Sequence, residues 1–451
     1  MSDSDSNLCQ HCFGFAARRA EKTVAELRSG GGFREEKDVQ LKAGSDLVRR
    51  QNRSVVIAAL RRNATMSRTD LSAATALSPS TVSAITSDLL NEGVLVEQRE
   101  FEPSGSRRGR PQIAIALNPS RAHVVSVELT HNQLSVGVSD YTGKAIRELD
   151  DRFSTAACSG EDLLLRCTRL IRRALSDAAI EQPSSIVMAV QGRTDAEGRD
   201  LLWSPIAAGR NVHLADYLQG EFGCPVTVAN DCSMIAVALR WLEPERYGRD
   251  CLAVLLSHGI GMGLYLNGRL FAGRSSSAAE FGHMLYKHNG ALCRCGSRGC
   301  IEAYAGDYAI WRSAHGLPED AMPPIELSGL DMRTLAKKAR QSDGPERRAY
   351  KEAAEAIGTG LAGLFALIDP VPIAFVGSGT AAFDICEPYI RACISESNSG
   401  GFDAHFEHEL FEFELPLIRQ GATVTALLAV DEQVSTGPET ALRDAPVLEV
   451  A

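Results

Sequence analysis

The sequence predicts an α/β protein preceded by a small winged helix-turn-helix domain. In the larger C-terminal part, buried-strand patterns such as residues 186–190 alternate with helical patterns such as residues 350–367, which is typical of sheets covered by helices. Nearer the N-terminus, three short helical patterns precede two strand-like runs, residues 94–99 and 113–117. A chain of 451 residues is long enough for two or three domains.

Charge is unevenly distributed along the chain, whose net charge is −10. Residues 44–121 hold eleven arginines against seven acids, so this segment is basic and the remainder is acidic. A basic domain on an acidic protein is typical of a regulator with a separate DNA-binding domain. The sequence has no run of about 18 apolar residues, so we predict no membrane contact.

Cysteine usage predicts a reducing environment. Three of the twelve cysteines are clustered near a histidine, which favours metal binding over disulfides, and we expect a cytoplasmic protein without a signal peptide. Cys9, His11 and Cys12 could form half of a second metal site, but no further pair follows nearby, so a solvated tail is favoured. The four predicted segments are a disordered extension (1–43), the winged helix-turn-helix domain with a basic linker (44–121), the α/β domain (122–431) and a polar C-terminal tail (432–451).

The second and third helices of the N-terminal domain have clear start signals. Residues 67–70 read as a capping box, and Ser78 followed by Pro79 is typical of an N-cap and a first helical position. Val82, Ile85 and Leu89 recur at helical spacing and are predicted to face the core. The opposite face would enter the major groove of DNA, although a generic helical bundle is the alternative. Its candidate DNA contacts are Ser78, Ser80, Thr81, Ser83 and Thr86.

The linker between the two wing strands is rich in arginine, glycine and proline. Arg107, Arg108 and Arg110 on a stiff extended chain fit a narrow, A·T-rich minor groove, where the negative potential is greatest. We therefore predict minor-groove contacts by these three residues. The alternative is a solvated basic linker.

One imidazole and three thiols lie close together in the sequence. His283 precedes Cys293, Cys295 and Cys300, and one histidine with three cysteines completes a tetrahedral shell for zinc, with no position open for a catalytic water. The spacing therefore predicts a structural zinc ion. The alternative is three reduced cysteines beside an unrelated histidine.

This stretch resembles the signature of the ROK family, which includes bacterial repressors and sugar kinases. Residues 280–302 match Glu-x-Gly-His followed by Cys-x-Cys-Gly-x-x-Gly-Cys-x-Glu, and residues 49–118 resemble the DNA-binding domain of ROK repressors. The resemblance implies a two-lobed, actin-like (ribonuclease H-like) fold for the α/β domain, with zinc held by the histidine and three cysteines. It also implies that the sugar-binding residues are Asn230, Asp231, Glu280, His283 and Glu302. For Asn230 and Asp231, an N-cap role for the next helix is an alternative that could hold at the same time.

The resemblance to the kinases fails at the first phosphate-binding loop. ROK kinases have Asp-x-Gly-Gly-Thr there, whereas this chain has residues 128–132, Glu-Leu-Thr-His-Asn, without a glycine. Glycine-rich turns are present at residues 257–263 and 376–380, but each is as consistent with a tight bend of the chain as with phosphate binding. Close approach of the backbone to a phosphate is therefore predicted to be blocked.

These observations favour a transcriptional regulator without enzymatic activity. We predict a repressor of carbohydrate uptake or catabolism genes that responds to a sugar or sugar phosphate. A helix-turn-helix protein usually reads two half-sites, so a pseudo-palindromic operator and a homodimer or homotetramer are expected. The alternatives are a sugar kinase with a DNA-binding domain, and a DNA-binding protein with a structural zinc ion and no effector.

Overall fold

The computed structural model of the protein describes residues 33–98, 113–207, 211–277, 279–322, 327, 329–397 and 406–436, without the side chains of 33–46, 329 and 397. Its N-terminal domain is a three-helix unit with a three-stranded antiparallel sheet in the order β1-β3-β2, so the predicted winged helix-turn-helix is confirmed. The first helix crosses the predicted boundary at residue 44. The elements are α1 (Phe33–Asn63), β1 (Thr65–Ser67), α2 (Arg68–Thr75), α3 (Pro79–Asn91), β2 (Leu95–Gln98) and β3 (Ala114–Leu117).

Both predicted helix starts are present. Ser67 accepts a hydrogen bond from the backbone N–H of Asp70, and the Asp70 side chain accepts one from the Ser67 N–H, which completes the capping box. Ser78 accepts from the Thr81 N–H at 3.2 Å, and Pro79 opens α3. Gly93, with φ of +70°, follows the end of α3 and turns the chain into β2.

The C-terminal domain contains two five-stranded sheets with the same topology, besides a small two-stranded sheet. In each five-stranded sheet three antiparallel strands are followed by two strands parallel to the first, giving the order β6-β5-β4-β7-β10 in one sheet and β13-β12-β11-β14-β15 in the other. This repeat is the predicted two-lobed, actin-like arrangement. The strands are β4 (His123–Thr130), β5 (Gln133–Asp140), β6 (Ala145–Arg152), β7 (Ser185–Val190), β8 (Arg193–Thr194), β9 (Leu201–Trp203), β10 (Val226–Asn230), β11 (Cys251–Leu256), β12 (Ile260–Leu266), β13 (Arg269–Leu270), β14 (Ile373–Val376) and β15 (His408–Phe411).

Helices cover both faces of the two sheets. One core lies between the sheets and is filled by α6 and α13, while two further cores lie on the outer faces under α4–α5 and α8–α12. Among the described residues, no helix has the length and apolar character needed to cross a membrane. The helices are α4 (Gly160–Asp177), α5 (Leu214–Phe222), α6 (Asp231–Leu242), α7 (Pro244–Tyr247), α8 (Glu302–Ala305), α9 (Asp307–Ala314), α10 (Gly329–Gln341), α11 (Pro345–Ile368), α12 (Phe383–Ser397) and α13 (Leu415–Thr436).

The last helix, α13, joins the C-terminal domain to the N-terminal domain. Near its end, Asp431 accepts two hydrogen bonds from the Arg61 guanidinium, at 2.6 and 2.9 Å, and one from the Tyr141 hydroxyl at 2.7 Å. Arg53 also donates to the carbonyl of Val434 at 3.1 Å. Because these groups are buried, α13 fixes α1 against the C-terminal domain and extends past the predicted boundary at residue 431.

Candidate metal centre and ligand cleft

Four potential metal ligands converge beside a short 3-10 turn, Phe281–His283. The donor atoms of His283, Cys293, Cys295 and Cys300 all lie within 4.8 Å of one another. The Cys295 and Cys300 sulfurs are 3.8 Å apart, and His283 Nδ1 is 3.7 Å from the Cys293 sulfur. Two sulfurs bound at about 2.3 Å to one tetrahedral zinc ion would be about 3.8 Å apart, so the spacing fits such an ion.

The loop that holds the cysteines requires glycine at one position. Gly299 has φ of +83°, and a Cβ atom there would lie 1.8 Å from the carbonyl oxygen of Lys287. The Cys293 N–H donates to the Ser297 carbonyl at 2.9 Å and closes a tight turn. Burial raises the pKa of the Cys293 and Cys300 thiols, that of Cys300 to about 11, and a bound cation would offset this by favouring the thiolates. The residues present therefore fit a metal ion and could hold one.

Two of the predicted sugar-binding residues stand where β10 meets α6. Asn230 is the N-cap of α6: its Oδ1 accepts from the Ser233 N–H at 3.1 Å, while its Nδ2 donates to the Gly192 carbonyl at 2.9 Å. The capping alternative for Asn230 is thus correct. Asp231 is only 4% exposed, and its Oδ1 accepts from the Cys232 N–H. Burial raises the pKa of Asp231 to about 7.

The other three predicted sugar-binding residues surround the metal loop. Glu302, at the start of α8, is 4% exposed; one carboxylate oxygen accepts from the Ile260 N–H at 3.3 Å and the other lies 3.6 Å from the Cys293 sulfur. The Nε2 of His283 lies 3.7 Å from Glu280. Since Nδ1 of the same ring faces Cys293, one imidazole can serve a metal through Nδ1 and a second group through Nε2.

The start of β12 contacts both the residues at the β10–α6 junction and those around the metal loop. Ile260 contacts Glu302, and a Cβ atom on the next residue, Gly261, would lie 2.4 Å from the Cys232 sulfur. At Gly263 a Cβ atom would lie 2.1 Å from the Cys232 carbonyl oxygen. The packing of β12 against the start of α6 therefore requires glycine at both positions of the second loop. Phosphate binding is not needed to explain them.

The first phosphate-loop position is a two-residue hairpin turn formed by His131 and Asn132 between β4 and β5. The His131 ring stacks on the ring of His258, from the β11–β12 turn, with centroids 5.0 Å apart and planes inclined by 29°. Two imidazoles thus bring the two loops into contact. Glu128 of the same segment is fully buried and paired with Arg419 of α13 at 3.2 Å, and burial raises its pKa to about 7.

Three further side chains near the predicted sugar-binding residues were not predicted from the sequence. Glu414 accepts a hydrogen bond from the Ser257 hydroxyl at 3.3 Å. The pKa of Asp307 is raised to about 7, mainly by burial and further by repulsion from Glu414. Trp203, the last residue of β9, lies with its ring centroid 5.8 Å from that of His283. These residues come from distant parts of the chain, and no local pattern marks them.

The predicted DNA-facing residues are only partly on one surface. Ser78, Ser80 and Ser83 are exposed and Thr81 is half-buried, as expected for a free helix face. The prediction for Thr86 is wrong: it is fully buried, donates to the Val82 carbonyl and accepts from Arg68. Position 86 follows Val82 by four residues, so the helical period places it on the core face. The three predicted minor-groove residues, Arg107, Arg108 and Arg110, lie outside the described residues.

Comparison with known proteins identifies the two domains. A winged helix-turn-helix DNA-binding profile matches residues 49–96, and the profile of the ROK family matches residues 125–415. The chain belongs to the ROK family.

Curated relatives and solved structures agree with this assignment. The chain is 24% identical over 392 residues to the xylose repressor of Caldicellulosiruptor bescii, covering 85% of this chain and 96% of that protein. It is 24% identical over 353 residues to the N-acetylglucosamine repressor of Escherichia coli O157:H7, covering 78% and 86%. The crystal structure of a ROK family transcriptional regulator, a homologue of the E. coli Mlc protein, superposes with a TM-score of 0.69 at 22% identity, covering 86% of this chain and 99% of that one. A Streptomyces griseus ROK glucokinase has a TM-score of 0.55 at 24% identity, covering 67% and 99%.

Proposed function

We propose that the protein is a DNA-binding transcriptional repressor whose operator affinity is controlled by a sugar. The sugar would bind in a cleft, which we call the ligand cleft, between Asn230, Asp231, Glu280, His283 and Glu302. The observation that supports this most is the combination of a winged helix-turn-helix domain with a sugar-kinase fold in which His131 stands at the first phosphate-loop position and stacks on His258. Relatives of similar length are named xylose repressor and N-acetylglucosamine repressor. The genes controlled would then be those for sugar uptake or catabolism.

In this proposal α3 reads the operator. Its exposed small polar residues, Ser80, Thr81 and Ser83, can approach base edges and phosphates without steric conflict. Arg107, Arg108 and Arg110 would add contacts in a neighbouring A·T-rich minor groove. A homodimer or homotetramer would present two copies of α3 to a pseudo-palindromic operator.

Sugar hydroxyls would be bound by Asn230, Asp231, Glu280, His283 and Glu302. Carboxylate and imidazole groups at different depths of a cleft can accept from and donate to neighbouring hydroxyls. A structural zinc ion held by His283 and the three cysteines would keep two of these side chains in place, since His283 would itself be a ligand and Glu302 lies 3.6 Å from the Cys293 sulfur.

A sugar kinase is the second candidate, because Asp231 remains available to deprotonate a hydroxyl and the fold resembles that of a glucokinase bound to glucose and a nucleotide analogue. Phosphoryl transfer depends almost wholly on positioning and neutralising the phosphoryl group. His131 occupies the turn where glycines would admit that group, and Glu128 is already paired with Arg419. We therefore infer that the protein binds its sugar without phosphorylating it.

Two assays on the purified full chain test this proposal. Thermal-shift screening against D-glucose, D-xylose, N-acetyl-D-glucosamine and their 6- or 5-phosphates should reveal one stabilising sugar. With that sugar, ATP and Mg²⁺, ADP release should stay at the background seen for Asp231→Asn. Sugar-dependent ADP formation that disappears in Asp231→Asn would establish the kinase instead.

A further inference from the structure

One aromatic ring, that of Trp203, lies against a proposed hydroxyl-binding residue without belonging to the proposed set. Trp203 ends β9, in the two-stranded β8–β9 sheet of the first lobe, and it is half-buried. Its ring meets that of His283, from the second lobe, edge to face, with centroids 5.8 Å apart and planes at 71°. A ring from one lobe thus lies against an imidazole from the other.

The backbone of Trp203 is held by the segment that also holds Asn230. Gly192 has φ of +156°, and a Cβ atom there would lie 2.4 Å from the Trp203 carbonyl oxygen. The Gly192 carbonyl in turn accepts a hydrogen bond from Asn230 Nδ2 at 2.9 Å. The preceding carbonyl, that of Gln191, accepts from Ser204 at 2.7 Å. The backbone of Trp203 is therefore held next to Asn230, and its ring lies against His283.

The chemistry of a sugar ring calls for such a side chain. Hydroxyls line the edge of the ring and are matched by carboxylate, amide and imidazole groups, whereas the C–H face of the ring is apolar. All five hydroxyl-binding residues are polar, and an aromatic ring is the side chain that buries such a face over a large area. The other two tryptophans lie elsewhere, since Trp241 packs on the core between the sheets and Trp311 stacks on His315.

We propose that Trp203 is the platform on which the C–H face of a cyclic sugar packs, so that the site selects ring-form aldoses over acyclic polyols. This rests on the proposed function, because it specifies the ligand of the same cleft. An open-chain polyol keeps the hydroxyls of the sugar but has no preformed apolar face, so it would gain little from the tryptophan ring and would also lose conformational entropy on binding.

The test uses the fact that the chain has three tryptophans. A Trp241→Phe/Trp311→Phe variant has Trp203 as its sole tryptophan, and its emission should change on titration with the stabilising sugar. By calorimetry, Trp203→Ala should bind that sugar roughly tenfold more weakly, the equivalent of an aromatic contact of about 1.4 kcal/mol, while Trp203→Phe should stay within about threefold. Trp311→Phe is the matched control and should bind like the wild type. Xylitol and D-sorbitol should bind far more weakly than D-xylose and D-glucose.

Metal content and sugar binding separate the possible outcomes. If Trp203→Ala and Trp203→Leu lose both the bound metal and the affinity for sugar, the tryptophan ring acts only by supporting His283. The proposal that it packs against the sugar is then wrong. An unchanged affinity in Trp203→Ala, an unchanged emission of Trp203, or equal binding of polyol and aldose would each overturn the platform while the proposed function stands. Failure of every sugar to bind the wild-type protein would instead reject the proposed function, and the platform with it.

Discussion

Asp431→Ala should loosen the attachment of the N-terminal domain to the rest of the protein. The Asp431 carboxylate, on α13, accepts hydrogen bonds from Arg61 of α1 and from Tyr141, which follows β5. The Arg61 side chain is 1% exposed and that of Asp431 is 10% exposed. Removing the carboxylate would leave a guanidinium buried at the domain junction without its anion.

The expected cost follows from this burial. Breaking a buried ion pair by deleting one partner costs about 3–5 kcal/mol, because the remaining charge has lost its solvation and its counterion. The remaining Arg61 contacts, a bond to the Tyr141 carbonyl and stacking over the Tyr141 ring, do not neutralise the charge. If the junction opens locally, amide hydrogens of α1 should exchange about 10²- to 10⁴-fold faster.

Hydrogen-exchange mass spectrometry of wild-type and variant protein measures this directly. Glu221→Ala is the matched control, because it deletes an acid that pairs with Arg172 on the surface. The Arg172 side chain is 62% exposed and that of Glu221 is 31% exposed. Such exposed pairs contribute about 0–1 kcal/mol. Exchange in α1 that is no faster in Asp431→Ala than in Glu221→Ala would refute the view that this pair holds the domains together.

Three further predictions concern the metal loop, the DNA-binding helix and the buried acids. Cys300→Ser should lower the bound zinc from about one ion per chain towards none, together with the melting temperature; full zinc retention by elemental analysis would contradict the ligand set. Thr81→Ala should change the preference among operator variants, whereas Thr86→Val should change only stability, because Thr86 is buried beneath Arg68; a competition assay in which Thr86→Val shifts the preference would contradict this. Asp307→Asn should stabilise the protein more at pH 8 than at pH 4. Burial raises the pKa of Asp307 from 3.8 to about 7, so the folded state keeps a proton that the unfolded state releases, and wild-type stability falls as pH rises across that window. Equal gains in melting temperature at the two pH values would exclude a raised pKa of Asp307 as the reason for the stabilisation.

Local patterns in the sequence were sufficient for the metal loop and for the helix starts. The spacing of the cysteines and the glycine at position 299 constrain a short loop, and the serine caps act within three residues. The error at Thr86 has a different origin. The prediction assigns only the apolar residues of α3 to the core face, although the helical period also puts position 86 there, with Val82 and Leu89.

The features that were missed depend on contacts between distant residues. Helix α13 lies between the two sheets and is buried on several sides, so it lacks the one-sided apolar pattern that marks a surface helix, and its polar end resembles a tail. Arg419 and Glu128 are 291 residues apart in the chain, and Asp431 and Arg61 are 370 apart. A single sequence contains no signal for such pairs.

Operator affinity as a function of sugar concentration tests the central claim most directly. An operator obtained by in vitro selection with the full chain, labelled with a fluorophore, would be titrated with protein at fixed salt with and without the stabilising sugar. The sugar should change the dissociation constant by about 5- to 150-fold, the usual range of allosteric coupling. Asp231→Asn and Glu302→Gln should bind the operator like the wild type without sugar and lose most of the response. An operator affinity that stays the same while the sugar saturates the protein would contradict the account.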